Sequence, residues 1–228
     1  MTDTEQRSST RERYDRRVPQ NLSAATLEER IIASDTRALT HTYEQIAATE
    51  SARQAAALAL KSRRRFIAGE GTSSAFALLL ATELSATLSN IHLIGSHALS
   101  PLVALTDVRS TDVLVLFSMR PYRSMMLRLA REFHRSGGKV VIVTDSADAP
   151  AAKYADRLVV ADTGASPFID SPTPIAAVTH LLGTLISASA KGARRRLNER
   201  DRIAKLLELY EPDNEPAASD SSDDQTTK

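Results

Sequence analysis

Small and hydroxyl-bearing residues collect directly after two apolar runs of this sequence. One run is followed by residues 69–74, GEGTSS, and another by residues 118–124, SMRPYRS. Glycine lets a backbone approach a ligand closely, and serine and threonine hydroxyls donate to phosphate oxygens without a full charge of their own. The pattern favours binding of a small anion and also suits a polyol. The candidate ligand-binding residues are Gly69, Gly71, Thr72, Ser73, Ser74, Ser118, Arg120, Arg123 and Ser124.

These residues also have a structural explanation. Thr72, Ser73 and Ser74 are residue types that cap helices, and Ser118 suits an ordinary turn. However, two serine-containing turns follow two strands that would be neighbours in the sheet. This convergence favours a ligand site over a purely structural role. The amino ends of the helices that follow would add unpaired N–H groups and partial positive charge.

Two nucleotide-binding motifs are missing. In a G-x-G-x-x-G fingerprint that begins at Gly69, the third glycine position holds Ser74. The run ending at Ile94 continues into Gly95 and Ser96 instead of an acidic residue, and no G-x-x-x-x-G-K-[ST] segment exists. Dinucleotide binding and nucleotide hydrolysis are therefore set aside, and neither a cofactor nor a metal site is expected.

Three residues are candidates for proton transfer. An aldose–ketose isomerase needs a base whose pKa lies near the working pH, usually Glu or His. Glu70 lies inside the glycine turn, His97 follows the run that ends at Ile94, and His180 lies on a later helix from which it could reach a neighbouring subunit's site. A histidine on a largely apolar helix is more often a packed or surface residue.

Five short apolar runs predict the strands that position these residues. Two of them, DVLVLF and KVVIVT, are apolar almost without alternation, which is typical of parallel strands buried on both faces. Helical patterns separate the runs, so the order implies right-handed crossovers and a three-layer α/β/α sandwich with a parallel sheet, preceded by two helices. In such sheets ligands bind at the carboxyl ends of the strands. The predicted strands are Arg65–Gly69, Ile91–Ile94, Asp112–Phe117, Lys139–Thr144 and Arg157–Val160.

Composition narrows the functional classes. The 228 residues contain no Cys, which excludes disulfides, thiolate metal sites and cysteine nucleophiles. A net charge of +1 argues against a protein dominated by nucleic-acid backbone binding. The polar, charged amino-terminal segment is not a signal peptide, and no apolar stretch is long enough to span a bilayer, so we expect a cytoplasmic protein. We also expect residues 1–20 and the acidic residues 212–228 to be disordered tails around one domain, residues 21–211.

The sequence resembles the SIS (sugar isomerase) domain, most closely the effector domain of RpiR/MurR-type transcriptional regulators. Three segments carry the resemblance: FIAGEGTSS, TDVLVLFSMRPYRS and GGKVVIVTDSADAPAAKYAD. It implies a flavodoxin-like, five-stranded parallel sheet, a homodimer or homotetramer, and a phosphosugar or related anionic sugar derivative as ligand. Ser73 then matches the serine of the first glycine turn, and Ser118 matches the first serine of a Ser-x-Ser-Gly-x-Thr phosphate loop.

The second half of that phosphate loop departs from the family. Arg120 stands at the second serine, Pro121 at the glycine and Arg123 at the threonine. An arginine can grip phosphate or carboxylate through two parallel hydrogen bonds, so an acidic sugar is also a candidate ligand. Alternatively, Arg120 and Arg123 are solvated or pair with acids across a subunit contact.

The amino-terminal region lacks the three-helix DNA-reading unit of the regulators, which makes direct DNA binding doubtful. The basic runs 63–65 and 194–196 are interpreted as solvated faces. Three hypotheses stay open: a sugar-derivative sensor that acts on transcription through a partner, a sugar-phosphate isomerase, and an interaction protein that has lost its ligand.

Overall fold

A computed structural model describes residues 23–95, 98–164 and 170–210 of the chain. His97 and the two predicted tails, 1–20 and 212–228, lie outside the described residues. The described chain between the predicted tails contains one five-stranded sheet with helices on both faces.

All pairings between neighbouring strands in the sheet are parallel, and the strand order is β2-β1-β3-β4-β5. The chain therefore places β2 on one side of β1 and β3 on the other, which is the switch in strand order where ligands bind. Three predicted strands, β2, β4 and β5, match fully, whereas β1 begins one residue earlier and β3 ends one residue later than predicted. The strands are β1 (Arg64–Gly69), β2 (Ile91–Ile94), β3 (Asp112–Ser118), β4 (Lys139–Thr144) and β5 (Arg157–Val160).

Within the described residues two helices precede the sheet, as predicted, and five more follow β1. One was not predicted, the six-residue helix α4, because its single turn gives no detectable apolar period. The last described helix, α7, ends at Leu206. The helices are α1 (Ala24–Thr49), α2 (Ser51–Lys61), α3 (Ser73–Thr87), α4 (Pro101–Thr106), α5 (Ser124–Arg135), α6 (Thr173–Ala188) and α7 (Ala193–Leu206), with a 3-10 turn at Ala152–Tyr154.

Alternate residues of the central strands enter two separate cores. Val113, Val115 and Phe117 of β3 pack with α2, α3 and α6 on one face. Leu114 and Leu116 pack with α5 on the other. All seven residues of β3 are buried, because helices cover both faces of the sheet. The three-layer arrangement predicted from the unbroken apolar runs is confirmed.

Within the described residues, no single helix is long and apolar enough to cross a bilayer. Helices α6 and α7 are bent by 102° relative to each other. Only when the two are taken together do they have the length and composition of a membrane span.

The basic run 63–65 is not a solvated face, and the prediction for it is wrong at two positions. The guanidinium of Arg64 donates to both carboxylate oxygens of Asp112, at 3.1 and 2.6 Å. Buried Arg65 donates to the carbonyl oxygens of Ala59 and Leu60, where α2 ends. Arg63 is exposed. The run therefore ties the amino ends of β1 and β3 together and closes the last turn of α2.

Acid should remove part of the stability that Asp112 provides. Burial raises the pKa of Asp112, but the hydrogen bond from Arg64 and that from the Arg109 amide outweigh it, so the pKa lies below its ordinary value. The stabilisation is complete above the unfolded pKa of about 3.9 and is lost as pH falls through the lower folded value. Asp112→Asn should cost roughly 1–3 kcal/mol of unfolding free energy at pH 7, and progressively less as the pH falls below about 3.9, in urea titrations followed by circular dichroism. Glu199→Gln, which breaks an exposed pair, is the matched control and should show almost no difference.

Candidate functional site

The carboxyl ends of β1 and β3 lie side by side and at the same level. Gly69 of β1 is the register partner of Phe117, so the segment 69–74 and the segment that starts at Ser118 leave the sheet together. A Cβ built at Gly69 would lie 2.3 Å from the carbonyl oxygen of Ser73. Only glycine fits there, because the first turn of α3 packs directly on the end of the strand.

The two loops meet at Gly71 and Arg123. Gly71 has a φ of +62°, a conformation that suits glycine, and a Cβ built there would lie 3.4 Å from Nη2 of Arg123. The guanidinium of Arg123 therefore lies beside the glycine turn of the neighbouring strand. Arg123 is exposed, and it forms no ion pair with any residue that the structure describes. Its charge is available to a ligand at this edge.

Two serines from adjacent strands bring hydroxyls to the same edge. Ser73 and Ser118 are each 5% exposed, and neither hydroxyl has a hydrogen-bond partner among residues 23–95, 98–164 and 170–210. Across those ranges, the only polar side-chain atom that is fully buried and unbonded is Oδ1 of Asp35, so both serine hydroxyls keep some contact with solvent. A ligand at the edge would supply the missing partners.

The remaining hydroxyls do not cap helices. Thr72 precedes α3 without a side-chain cap bond, and Ser74 donates its hydroxyl to the carbonyl oxygen of Gly71 at 2.7 Å. Ser124 opens α5 after Arg123, again without a side-chain cap bond. The first turns of α3 and α5 contain no acidic residue. Two helix amino ends that have neither a side-chain cap nor an acidic residue thus bring their partial positive charge to the edge where Arg123 lies, which favours an anion.

Arg120 has a partner inside its own chain. Its Nε donates to Oδ2 of Asp145 at 2.6 Å, and the Tyr122 hydroxyl donates to Oδ1 at 2.9 Å. The side chains are 17% exposed for Arg120 and 1% for Asp145. Thr144 supports the cluster by donating its hydroxyl to the carbonyl oxygen of Ser118 at 2.7 Å. The sequence interpretation had considered an arginine that binds the anion, a solvated arginine and a pair across a subunit contact, but not a pair within the chain.

The charges of this cluster stabilise one another. Burial lowers the pKa of Arg120, but the hydrogen bond and charge of Asp145 outweigh it, and the pKa is raised. Burial and the Asp145 carboxylate together raise the pKa of Tyr122. Tyr122 is therefore a neutral hydrogen-bond donor and unsuited to act as a base at neutral pH.

Of the three candidates for proton transfer, the structure describes two, and it places them on different parts of the surface. Glu70 lies on the edge, exposed, within the glycine turn. His180 lies on the outer surface of α6, where its Nδ1 is 3.6 Å from the Glu83 carboxylate of α3. His97 lies outside the described residues. No group of His, Cys, Asp or Glu side chains in the described ranges could hold a metal ion.

Sequence reasoning missed a second group of polar residues, which joins α1 to the chain beyond β5. Asp35 accepts a hydrogen bond from the Thr173 hydroxyl at 2.9 Å, while its other oxygen is buried and unbonded. His41 pairs with Asp162 at 2.9 Å. These contacts join residues more than 100 positions apart, so no local pattern could have revealed them.

A family comparison agrees with this geometry. The model for the SIS domain matches residues 59–185, which is more than half of the chain. The chain belongs to the SIS domain family. The match begins near the end of α2 and ends within α6, so it includes the whole sheet and both loops of the candidate site.

Solved SIS structures share the fold at low sequence identity. The sugar isomerase domain of an RpiR transcription factor from Sphaerobacter thermophilus is 24% identical, with a TM-score of 0.69 over 75% of this chain and 96% of that one. Vibrio vulnificus NanR in complex with ManNAc-6P is 15% identical, with a TM-score of 0.62 over 78% of this chain and 69% of that one. A Methanococcus jannaschii protein with an inferred 3-hexulose-6-phosphate isomerase function is 16% identical, with a TM-score of 0.58 over 77% of this chain and 95% of that one. Comparison with curated proteins gives no match.

Proposed function

We propose that this SIS domain is a cytoplasmic sensor that binds a phosphosugar or an acidic sugar at the carboxyl edge of β1 and β3. One observation carries the proposal: two helix amino ends, two serine hydroxyls and the guanidinium of Arg123 meet at the switch in strand order, and neither the hydroxyls nor the guanidinium has a hydrogen-bond or ion-pair partner among the described residues. The N–H groups and Arg123 would hold the acidic group. Ser73 and Ser118 would bond phosphate or sugar hydroxyl oxygens.

The solved relatives support an anionic sugar derivative as the ligand class. NanR carries ManNAc-6P, and the RpiR factor is a transcription regulator. We therefore propose an RpiR-type effector role in transcriptional regulation. The chain would act through a partner protein instead of reading DNA itself, and as a homodimer or homotetramer. Exposed Leu78 and Leu79 on α3 offer apolar surface for such an assembly.

Binding should appear as thermal stabilisation without turnover. A ligand at about 100 times its Kd adds about 2.7 kcal/mol, which corresponds to a Tm increase of roughly 5–10 °C for a domain of this size. The measurement is a thermal-shift screen with sugar phosphates, sugar acids and amino-sugar phosphates, each matched with its neutral sugar. Proton NMR of the same mixtures should show an unchanged sugar.

Two outcomes would contradict a sensor role. If no anionic sugar raises Tm, the chain is better explained as an interaction protein that has lost its ligand. If the NMR spectrum shows interconversion of aldose and ketose, the chain is an isomerase. Glu70 is then the base to test, because it is the one proton-transfer candidate that the described structure places on the edge. Glu70→Gln should abolish turnover and retain binding.

A further inference from the structure

A wide basic groove lies at the opposite edge of the sheet, where the strands begin. It encloses about 1330 Å³ between the end of α2, the start of β1 and the length of α7. Eight basic side chains line it, against one described acidic side chain, Glu199. The sequence interpretation had treated the run 194–196 as a solvated face, and all three of its residues are exposed. The fold also places the run in one concave surface with Lys61 and Arg65.

Most of this positive charge has no ion-pair partner in the part of the chain that the structure describes. Arg65 donates its hydrogen bonds to carbonyl oxygens at the end of α2. Arg202 forms an ion pair with Glu199 at 2.7 Å. Lys61, Arg194, Arg195 and Arg200 make no ion pair with any residue in the described ranges. Clustered like charges repel one another and raise the local potential, so the groove favours a polyanionic occupant.

The chain carries a matching polyanion next to the groove. The described residues end at Tyr210, four positions after α7, and the following 18 residues contain one basic residue, Lys228. Extended, 18 residues span up to about 60 Å, whereas α7 is about 21 Å long, so they can reach every basic side chain of the groove. The segment has six acidic residues: Glu211, Asp213, Glu215, Asp220, Asp223 and Asp224.

We propose that the acidic segment 211–228 binds in the basic groove of its own chain. Its carboxylates pair with the arginines of α7 and with Lys61 in charge-assisted hydrogen bonds. The covalent connection supplies the segment at an effective concentration on the order of millimolar, so weak individual pairs suffice. The occupied groove excludes other polyanions. The proposal is independent of the sugar site, which lies at the other edge of the sheet.

A competition experiment tests it in the full chain. In one variant, the six acids become amides: E211Q, D213N, E215Q, D220N, D223N and D224N. The probe is a fluorescein-labelled peptide with the sequence of residues 211–228, and binding is followed by anisotropy in about 150 mM salt, where screening over about 8 Å removes long-range repulsion. The amide variant should bind the peptide at least about tenfold more tightly than the wild-type chain, whose tethered segment competes.

Charge reversals in the amide background locate the binding surface. R194E with R195E should remove peptide binding, whereas R128E with R131E, which makes the same charge change on α5, should leave it unchanged. The proposal is overturned if the amide variant and the wild-type chain bind the peptide with equal affinity. It is also overturned if the α7 and α5 charge reversals reduce peptide binding equally. Sugar-induced thermal shifts should be the same in all of these variants, so a failure here is distinct from a failure of the proposed function.

Discussion

Replacing Asp145 with asparagine should lower the free energy of unfolding by about 3–5 kcal/mol, the largest change in stability that we expect from one substitution in the site. The carboxylate is 1% exposed and is the partner of Arg120. Asparagine still accepts the hydrogen bond from Tyr122, but it leaves a mostly buried guanidinium without a counter-charge. Urea unfolding at pH 7, followed by circular dichroism, measures the loss.

Two controls separate this cause from a general effect of the loop. Asp148→Asn removes a charge from the same loop, but the residue is exposed, so the change should be within about 0.5 kcal/mol. The double variant Arg120→Met with Asp145→Leu replaces both charges by apolar groups, and should recover most of the stability. An Asp145→Asn protein as stable as the Asp148→Asn control would show that Arg120 does not depend on its carboxylate partner.

Replacing Arg123 with alanine should weaken binding of the anionic ligand that the thermal-shift screen identifies by about 10- to 100-fold. A charge-assisted hydrogen bond contributes about 1.5–3 kcal/mol, and each 1.4 kcal/mol is a factor of about ten in Kd. The fold itself should be nearly unaffected, because Arg123 is exposed and pairs with no described residue. Titration calorimetry gives the affinity, and the Tm of the unliganded protein gives the stability.

Arg128→Ala is the matched control for Arg123→Ala. Arg128 lies on the same helix, is also exposed, and forms no ion pair within the described chain. Its replacement should leave the affinity unchanged. If the two variants bind the ligand equally well, Arg123 has no part in holding the anion, and the helix amino ends and serine hydroxyls must suffice.

The two arginines of the altered loop thus have different roles, although they are three residues apart. Arg120, which the resemblance matches to the second serine of the phosphate loop, is held by Asp145. Arg123, which it matches to the threonine, lies beside Gly71. We expect the first to hold the loop in shape and the second to meet the ligand. The phosphate loop would then have exchanged one hydroxyl for a guanidinium and another for an internal ion pair.

Local patterns determined the strands and the fold class. DVLVLF and KVVIVT have no polar alternation, and only a sheet covered on both faces accommodates such runs, so their burial and parallel pairing followed from residue types alone. The same reasoning placed the glycine turn and Ser118 at one edge, because parallel strands end together. The six-residue helix α4 was too short to leave a period in the sequence.

Only the tertiary structure decided which charges meet. Arg120 and Asp145 are 25 positions apart, Arg64 and Asp112 are 48 apart, and Asp35 and Thr173 are 138 apart. A basic run looks alike whether it closes a helix, as Arg65 does, or lines a groove, as Arg194 and Arg195 do. Periodicity encodes the contacts of a residue with its neighbours along the chain. Pairing between charges depends on side chains that the sheet and its crossovers bring together, and the sequence carries no signal for it.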